Sequence, residues 1–303
     1  VTAGPDTNWL SRFDRHLGSE RRLADTTRLH YARELHALRD WCLAESLTDW
    51  SAIDSHALRR FIGQGHRRGL SGRSLQRRLS AIRSFFRFLV REGALQANPA
   101  DGLSAPRSPS RLPATLDVDA VSHLLDAPSD EDDSLTVRDL ALFELVYSSG
   151  LRLAETVGLD LSDLSLEQAL VRVTGKGSKT RIVPVGRKAV DRLRDWLSHR
   201  DSLAAGGEQA VFVTRSGGRL SPRSVQQRLR RRASSAGLAV GVHPHMLRHA
   251  FATHMLESSG DLRALQELLG HADIGTTQIY THLDFQHLAQ VYDAAHPRAR
   301  KKR

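Results

Sequence analysis

Residues 98–113 read NPADGLSAPRSPSRLP, and no helix or strand can run through them. Prolines at 99, 106, 109 and 113 remove backbone donors, and the Gly and Ser between them favour turns over regular structure. A chain of 303 residues divided here leaves two pieces, each long enough to bury a core of its own. We therefore expect an N-terminal domain over 1–97, a linker over 98–113 and a C-terminal domain over 114–303. Two domains joined in this way can close around a cylinder such as a nucleic-acid duplex.

Before the linker the apolar spacing is helical throughout. Trp9, Leu10, Phe13 and Leu17 share one face, as do Leu35, Leu38, Trp41 and Cys42. Asp54 or Ser55 is placed to cap a third helix through Leu58, Phe61 and Ile62. Ser71 can cap a fourth, with the stripe Leu75, Leu79, Ile82, Phe86 and Leu89. The spacing predicts a four-helix domain. Its fourth helix also carries Arg73, Arg77, Arg78, Arg83, Arg87 and Arg91 with almost no acids between them. A charge run is ordinarily a solvated face, but so one-sided a run suits tracking phosphates, with Arg73, Arg77 and Arg78 as candidate contacts.

After the linker, helical patterns again dominate, through Val121, Leu124 and Leu125 and then Leu140 to Tyr147. A break at "SSG" precedes a helix in "LRLAETVGL". The one convincing β signal is "ALVRVT" and "TRIVPV" on either side of "GKGSK", which reads as a hairpin. "AVFVT" is a candidate third strand. The fold class expected is mainly α, with a small antiparallel sheet in the C-terminal domain. Ser221 and Pro222 open a later helix in which Val225, Leu229 and Ala233 form a narrow apolar seam. Arginines at 223, 228, 230, 231 and 232 crowd its other faces. Arg223, Arg228 and Arg231 are candidate nucleic-acid contacts.

Lys and Arg exceed Asp and Glu by 44 to 34, a surplus that favours a polyanionic partner. No apolar run approaches a membrane-spanning length, which favours nucleic acid over a membrane. Cys42, the single cysteine, can form neither an internal disulfide nor a thiolate metal cage, and it points to a cytoplasmic location.

"TGKGSKT" fails as a phosphate-binding loop, because Lys176 is followed by Gly177 and a strand containing Pro184 rather than by a helix. It presents Lys176 at a hairpin tip between glycines, where the bland alternative is a solvated loop lysine. In "VHPHMLRHAFATHML", His245 and His249 have helical spacing, but Met246 stands where a zinc protease needs Glu, and no metal is expected. His245 and Arg248, three apart on a helix, can both donate to one phosphate. Arg152 opens a helix; it can pair with Glu155 or face an anion. Of four tyrosines, Tyr31 and Tyr147 sit in apolar helical patterns, leaving Tyr280 and Tyr292. Arginines for the non-bridging oxygens, a lysine for the leaving oxygen, imidazoles and a tyrosine are what metal-free phosphodiester cleavage requires.

In order, Arg152, Lys176, His245, Arg248, His271 and Tyr280 resemble the signature of the tyrosine recombinase, or phage integrase-like, family. "SGLRLAE", "TGKGSKTRIVPV", "HPHMLRHAFATHML" and "LQELLGHADIGTTQIYTHLD" are most similar to its Xer branch. The closing "DFQHLAQVYDAAHPRA" resembles the counterpart of the XerD type rather than XerD itself. The resemblance implies Tyr280 as nucleophile, forming a 3′-phosphotyrosyl bond, with Arg152 and Arg248 on the non-bridging oxygens. It implies Lys176 as acid, His245 in proton transfer and His271 as a phosphate donor, with no cofactor. It further implies a dif-like double-stranded DNA site, a XerD-type paralogue in a heterotetramer, an FtsK-type translocase as regulator, and resolution of chromosome dimers. By the same resemblance the stretch from Leu288 to Tyr292 docks on a neighbouring subunit, with Tyr292 as a packing aromatic, while "RARKKR" is expected to be disordered. A nicking-closing enzyme like the type IB topoisomerases, or a noncatalytic DNA binder of the same fold, are the alternatives.

Overall fold

A computed structural model describes residues 5–21, 23–106, 115–127, 133–175, 180–238, 241–259 and 295–298. The chain forms two compact units that divide between Leu112 and Pro113.

The first unit contains α1 (Thr7–Ser19), α2 (Asp25–Ala44), α3 (Ser55–Arg67) and α4 (Gly72–Arg91). Asp54 caps α3 by accepting from the Ala57 amide at 2.7 Å, and Ser71 caps α4 by accepting from the Ser74 amide at 3.2 Å. The α4 stripe is wider than the spacing predicts. Phe85 and Phe88 are buried beside Leu75, Leu79, Ile82, Phe86 and Leu89, because α4 packs against α1, α2 and α3 together. Each such side chain removed from water contributes about 1.5–3 kcal/mol. Phe85 also meets the edge of Trp50, whose indole N–H donates to the Asp6 carbonyl at 3.0 Å. Cys42 is buried, and desolvation pushes its thiol up to about 12.

Two expectations for this unit need correction. Arg78 is not on the outward basic face: its Nε donates to Glu34 of α2 at 2.7 Å and its guanidinium lies 4.9 Å from the Phe61 ring. Arg91 likewise bonds Glu20, just past the end of α1, and its own neighbour Glu92, each at 3.0 Å. Arg73, Arg77 and Arg87 are exposed. The linker also starts later than Asn98. Ala100 and Leu103 are buried in the first core, and Arg83 donates to the Leu103 carbonyl at 2.7 Å, so prolines here shape a packed irregular segment.

The second unit runs α5 (Val118–Asp126), α6 (Ser134–Ser149), α7 (Leu153–Gly158), β1 (Leu164–Ser165), β2 (Leu170–Thr174), β3 (Thr180–Pro184), α8 (Arg187–Arg200), α9 (Pro222–Ser235) and α10 (Pro244–Ser259). The sheet is antiparallel in the order β1-β2-β3, with Leu170 opposite Pro184 and Thr174 opposite Thr180. Val171, Val173 and Val183 face the core, while Arg172 and Ile182 face outward. The third strand is Leu164–Ser165 rather than "AVFVT". Ala210 to Val213 are wholly buried, but Val211 and Phe212 form a bend and the segment enters only the isolated bridges Asp160–Ala210 and Val213–Arg219. Helix α6 is central and buried along its length.

Residues 295–298 seat on this unit. Arg298 is buried and donates to Glu144 through Nε and Nη2 at 2.8 Å, and to Asp126 through Nη1 and Nη2 at 2.8 Å. The His296 ring lies 5.1 Å from that of Tyr147, whose hydroxyl hydrogen-bonds His254 Nδ1 at 3.0 Å. The expectation of disorder from Arg298 onward is therefore wrong for Arg298 itself, whose charge meets two carboxylates distant in sequence.

Candidate active site

Helix α6 ends at Gly150, which takes a left-handed φ of +58° that a side chain would resist. The turn buries Leu151 and delivers Arg152 to the start of α7. Glu155, one turn on, has a nearly inaccessible carboxylate that receives four hydrogen bonds. The Arg152 amide and Nη1 donate at 2.9 Å each, and Arg181 Nη1 and Nη2 donate at 3.0 Å each. Burial alone would raise the Glu155 pKa; the fork from Arg181 and the donors of Arg152 outweigh it and hold the carboxyl near about 2. The pairing of Arg152 with Glu155 is thus real, yet 41% of the Arg152 side chain stays accessible.

Arg248 rises from α10 and donates to the Gly150 carbonyl at the end of α6. Burial lowers its pKa, and the charges of Arg152 and then Arg181 push the same way against the pull of Glu155, to about 10. The guanidinium remains protonated at neutral pH but is held at a cost. The guanidiniums of Arg152, Arg181 and Arg248 thus lie close enough together, around the buried Glu155 carboxylate, for their charges to act on one another. Such a cluster of guanidiniums in a partly desolvated place has the chemistry to bind an anion.

His245, one turn before Arg248, is exposed on α10, and its ring lies 6.3 Å from that of His243. The His243 pKa is lowered by burial, then by His245 and Arg230. The structure thus brings Arg152 and Arg248 together, with His245 on the helix that carries Arg248. Lys176, His271 and Tyr280 lie outside the described residues, as do Leu288 and Tyr292. Strands β2 and β3 pair up to Thr174 and Thr180, which flank Lys176 in the sequence.

Ser221 and Pro222 begin α9 as expected, and Val225, Leu229 and Ala233 are its buried seam. Arg223 and Arg231 are exposed. Arg228 is a correction: it donates to Asp139 at 2.9 Å, and Arg232 is likewise taken by the carbonyls of Leu124 and Ala127. Sequence reasoning missed Arg181 altogether. Its only local signal was an arginine alternating with buried valines two residues from the "GKGSK" turn.

A model of the phage integrase family matches residues 114–287, and a model of the phage integrase N-terminal SAM-like domain matches residues 10–93. The protein named tyrosine recombinase XerC of Pseudomonas aeruginosa is 56% identical over 295 residues, which cover 97% of this chain and 96% of that protein. That of Alcanivorax borkumensis is 52% identical over 295 residues, covering 97% and 95%. In fold, the chain is similar to the XerH site-specific recombinase bound to a palindromic difH substrate in a post-cleavage complex. The TM-score is 0.70 at 24% identity, over 94% of this chain and 84% of that one. Among the described residues no helix is long and apolar enough to cross a membrane.

Proposed function

The chain belongs to the phage integrase family of tyrosine recombinases, of the XerC type, and from that premise we propose how its residues divide the work of site-specific DNA strand transfer. The substrate is a dif-like duplex. The Tyr280 oxygen attacks the scissile phosphorus, and the bond to the 5′ oxygen breaks as Lys176 gives that oxygen a proton. The product is a 3′-phosphotyrosyl bond and a free 5′-hydroxyl. Arg152 and Arg248 hold the non-bridging oxygens as charge builds on them, and His271 adds a donor. His245 moves the proton at the nucleophile. Attack by the 5′-hydroxyl of the exchanging strand reverses the step, and the phosphotyrosyl bond conserves the energy religation needs.

One observation carries this division of labour: 41% of the Arg152 side chain stays accessible beside Arg248, close enough for the two positive charges to act on one another. Exposed Arg73, Arg77, Arg223 and Arg231 are suited to track the duplex backbone. We infer further that the protein acts in the cytoplasm with a XerD-type paralogue in a heterotetramer, under an FtsK-type translocase, to resolve chromosome dimers.

The test is covalent trapping on a nicked dif-like duplex, with and without a XerD-type partner, comparing the wild type with Tyr280→Phe. A denaturation-resistant protein–DNA band lost only in the variant is expected. DNA binding with no band under any condition would refute the reading. Relaxation of supercoiled DNA by the chain alone, without site preference, would replace it with a nicking-closing enzyme.

A further inference from the structure

We propose that Gln227 is a specificity-determining residue: set between Arg223 and Arg231 on the outer row of α9, its side-chain amide reads the major-groove edge of one adenine in the duplex. The inference deepens the DNA-binding reading above and rests on it.

Helix α9 has two sides of opposite character. Val225, Leu229 and Ala233 recur every four residues and are buried. Arg223, Gln227 and Arg231 recur at the same interval, displaced by two residues, and are exposed. Two residues are about 200° of turn, so this second row stands opposite the seam and is the part of the helix farthest from the core. The fold also sorts the arginines beside it. Arg228 and Arg232 are drawn back onto Asp139 and onto the carbonyls of Leu124 and Ala127. The outer row reads cation, amide, cation, on a helix that carries no acid.

Such a row fits the major groove, where each base pair presents its own pattern of donors and acceptors. The flanking guanidiniums suit phosphates, which fix the register of a protein on the duplex but carry no sequence. A neutral amide between them adds nothing to that attraction; what it can do is pair. Its Oε1 accepts from adenine N6 while its Nε2 donates to N7, a combination that no other base edge offers. The place on the duplex follows from the neighbours of α9. Arg230, on its flank, is near enough to His243 for its charge to lower that imidazole's pKa, after burial and His245. The His243 ring lies 6.3 Å from that of His245, at the start of α10. Gln227, three residues before Arg230, therefore reads a base close to the phosphate that is cut.

The experiment selects bound duplexes from a randomised library with the full-length wild type, Gln227→Ala and Gln226→Ala. The wild type should select an adenine at one position where Gln227→Ala accepts any base, with the rest of the preferred site unchanged. On that site Gln227→Ala should bind about 5- to 100-fold more weakly than the wild type. Its log–log salt slope should be that of the wild type, because no charge is removed. Replacing the adenine by 7-deazaadenine, which lacks the N7 acceptor, should weaken the wild type about 3- to 10-fold and leave Gln227→Ala as it was. Gln226 is also exposed but stands about 100° round the helix, and Gln226→Ala should select the wild-type site.

Selection of the same adenine by Gln227→Ala would overturn the proposal, as would equal weakening of wild type and variant by the deaza base. So would weakening of Gln227→Ala by one factor on every sequence, which is what a lost phosphate contact or a disturbed helix produces. A wild type that retains no duplex at all refutes the DNA-binding reading and this inference with it, whereas the other failures leave that reading standing.

Discussion

Replacing Arg248 with methionine should change the stability of the folded protein little, although it removes a half-buried, hydrogen-bonded charge. Truncating one member of a buried charged cluster ordinarily loses about 3–5 kcal/mol. Arg248 differs because its neighbours oppose it. Its pKa falls from the ordinary 12.5 to about 10, driven by burial and then by Arg152 and Arg181. Each tenfold change in proton affinity is worth about 1.4 kcal/mol. Keeping Arg248 charged in its place therefore costs about 3 kcal/mol before solvent screening and about half that after it. The variant gives up the bond to the Gly150 carbonyl and a further interaction of Arg248, each worth about 1 kcal/mol. Methionine retains most of the apolar stem and its packing. The net expectation lies within about 1 kcal/mol of no change in the stability of the second unit. Urea unfolding read by hydrogen exchange in α6 and α8 follows that unit alone. Sulfate supplies the complementary arm: at ten times its Kd it should stabilise the wild type by about 1.4 kcal/mol and the variant much less. A variant that loses about 2 kcal/mol or more, or that sulfate stabilises as strongly as the wild type, would refute the account of this site as a strained cation cluster. Covalent adduct formation should be lost in either case.

Two further perturbations test the surrounding structure. Burial pushes the His296 imidazole down to about 3, and Arg298 and His254 add to the effect. The unfolded chain takes up that proton near pH 6.5, whereas the folded chain does not until about pH 3. The stability it contributes is therefore complete above pH 6.5 and is lost as the pH falls through that interval. Between pH 7 and 5 the wild type should lose about 2 kcal/mol more than His296→Phe, measured as urea midpoints of the second unit; equal losses would contradict the assignment. In the first unit, Arg78→Ala should destabilise by about 1–2 kcal/mol through the lost Glu34 bond yet leave the salt dependence of DNA binding unchanged. Arg77→Ala should do the reverse, flattening the log–log salt slope by about 0.9. Equal flattening by both variants would return Arg78 to the DNA-facing surface.

What could be read from the sequence, and what could not, divides by the distance over which the physics acts. Asp54, Ser71 and Ser221 cap the helices they precede, because a cap is decided within three residues. The register of β2 and β3 follows from the alternation of their valines. The charge pairing that sorts the arginines is not local. Arg78 finds Glu34 across 44 residues, Arg181 finds Glu155 across 26, and Arg298 finds Glu144 across 154. Counting acids near a basic helix therefore overstated the surface of α4 and α9, and it marked Arg78 and Arg228 for DNA when both are held by the fold. The same blindness explains Arg152. In sequence its options, a helical pair with Glu155 or an anion, compete. In the structure the pair forms while 41% of the Arg152 side chain stays accessible, and a distant arginine bonds both oxygens of the same carboxylate. Residue types and their order suffice to suggest a phosphate-cleaving set. Which of the many arginines retain charge for the phosphate depends on where the acids lie, and only the folded chain determines that.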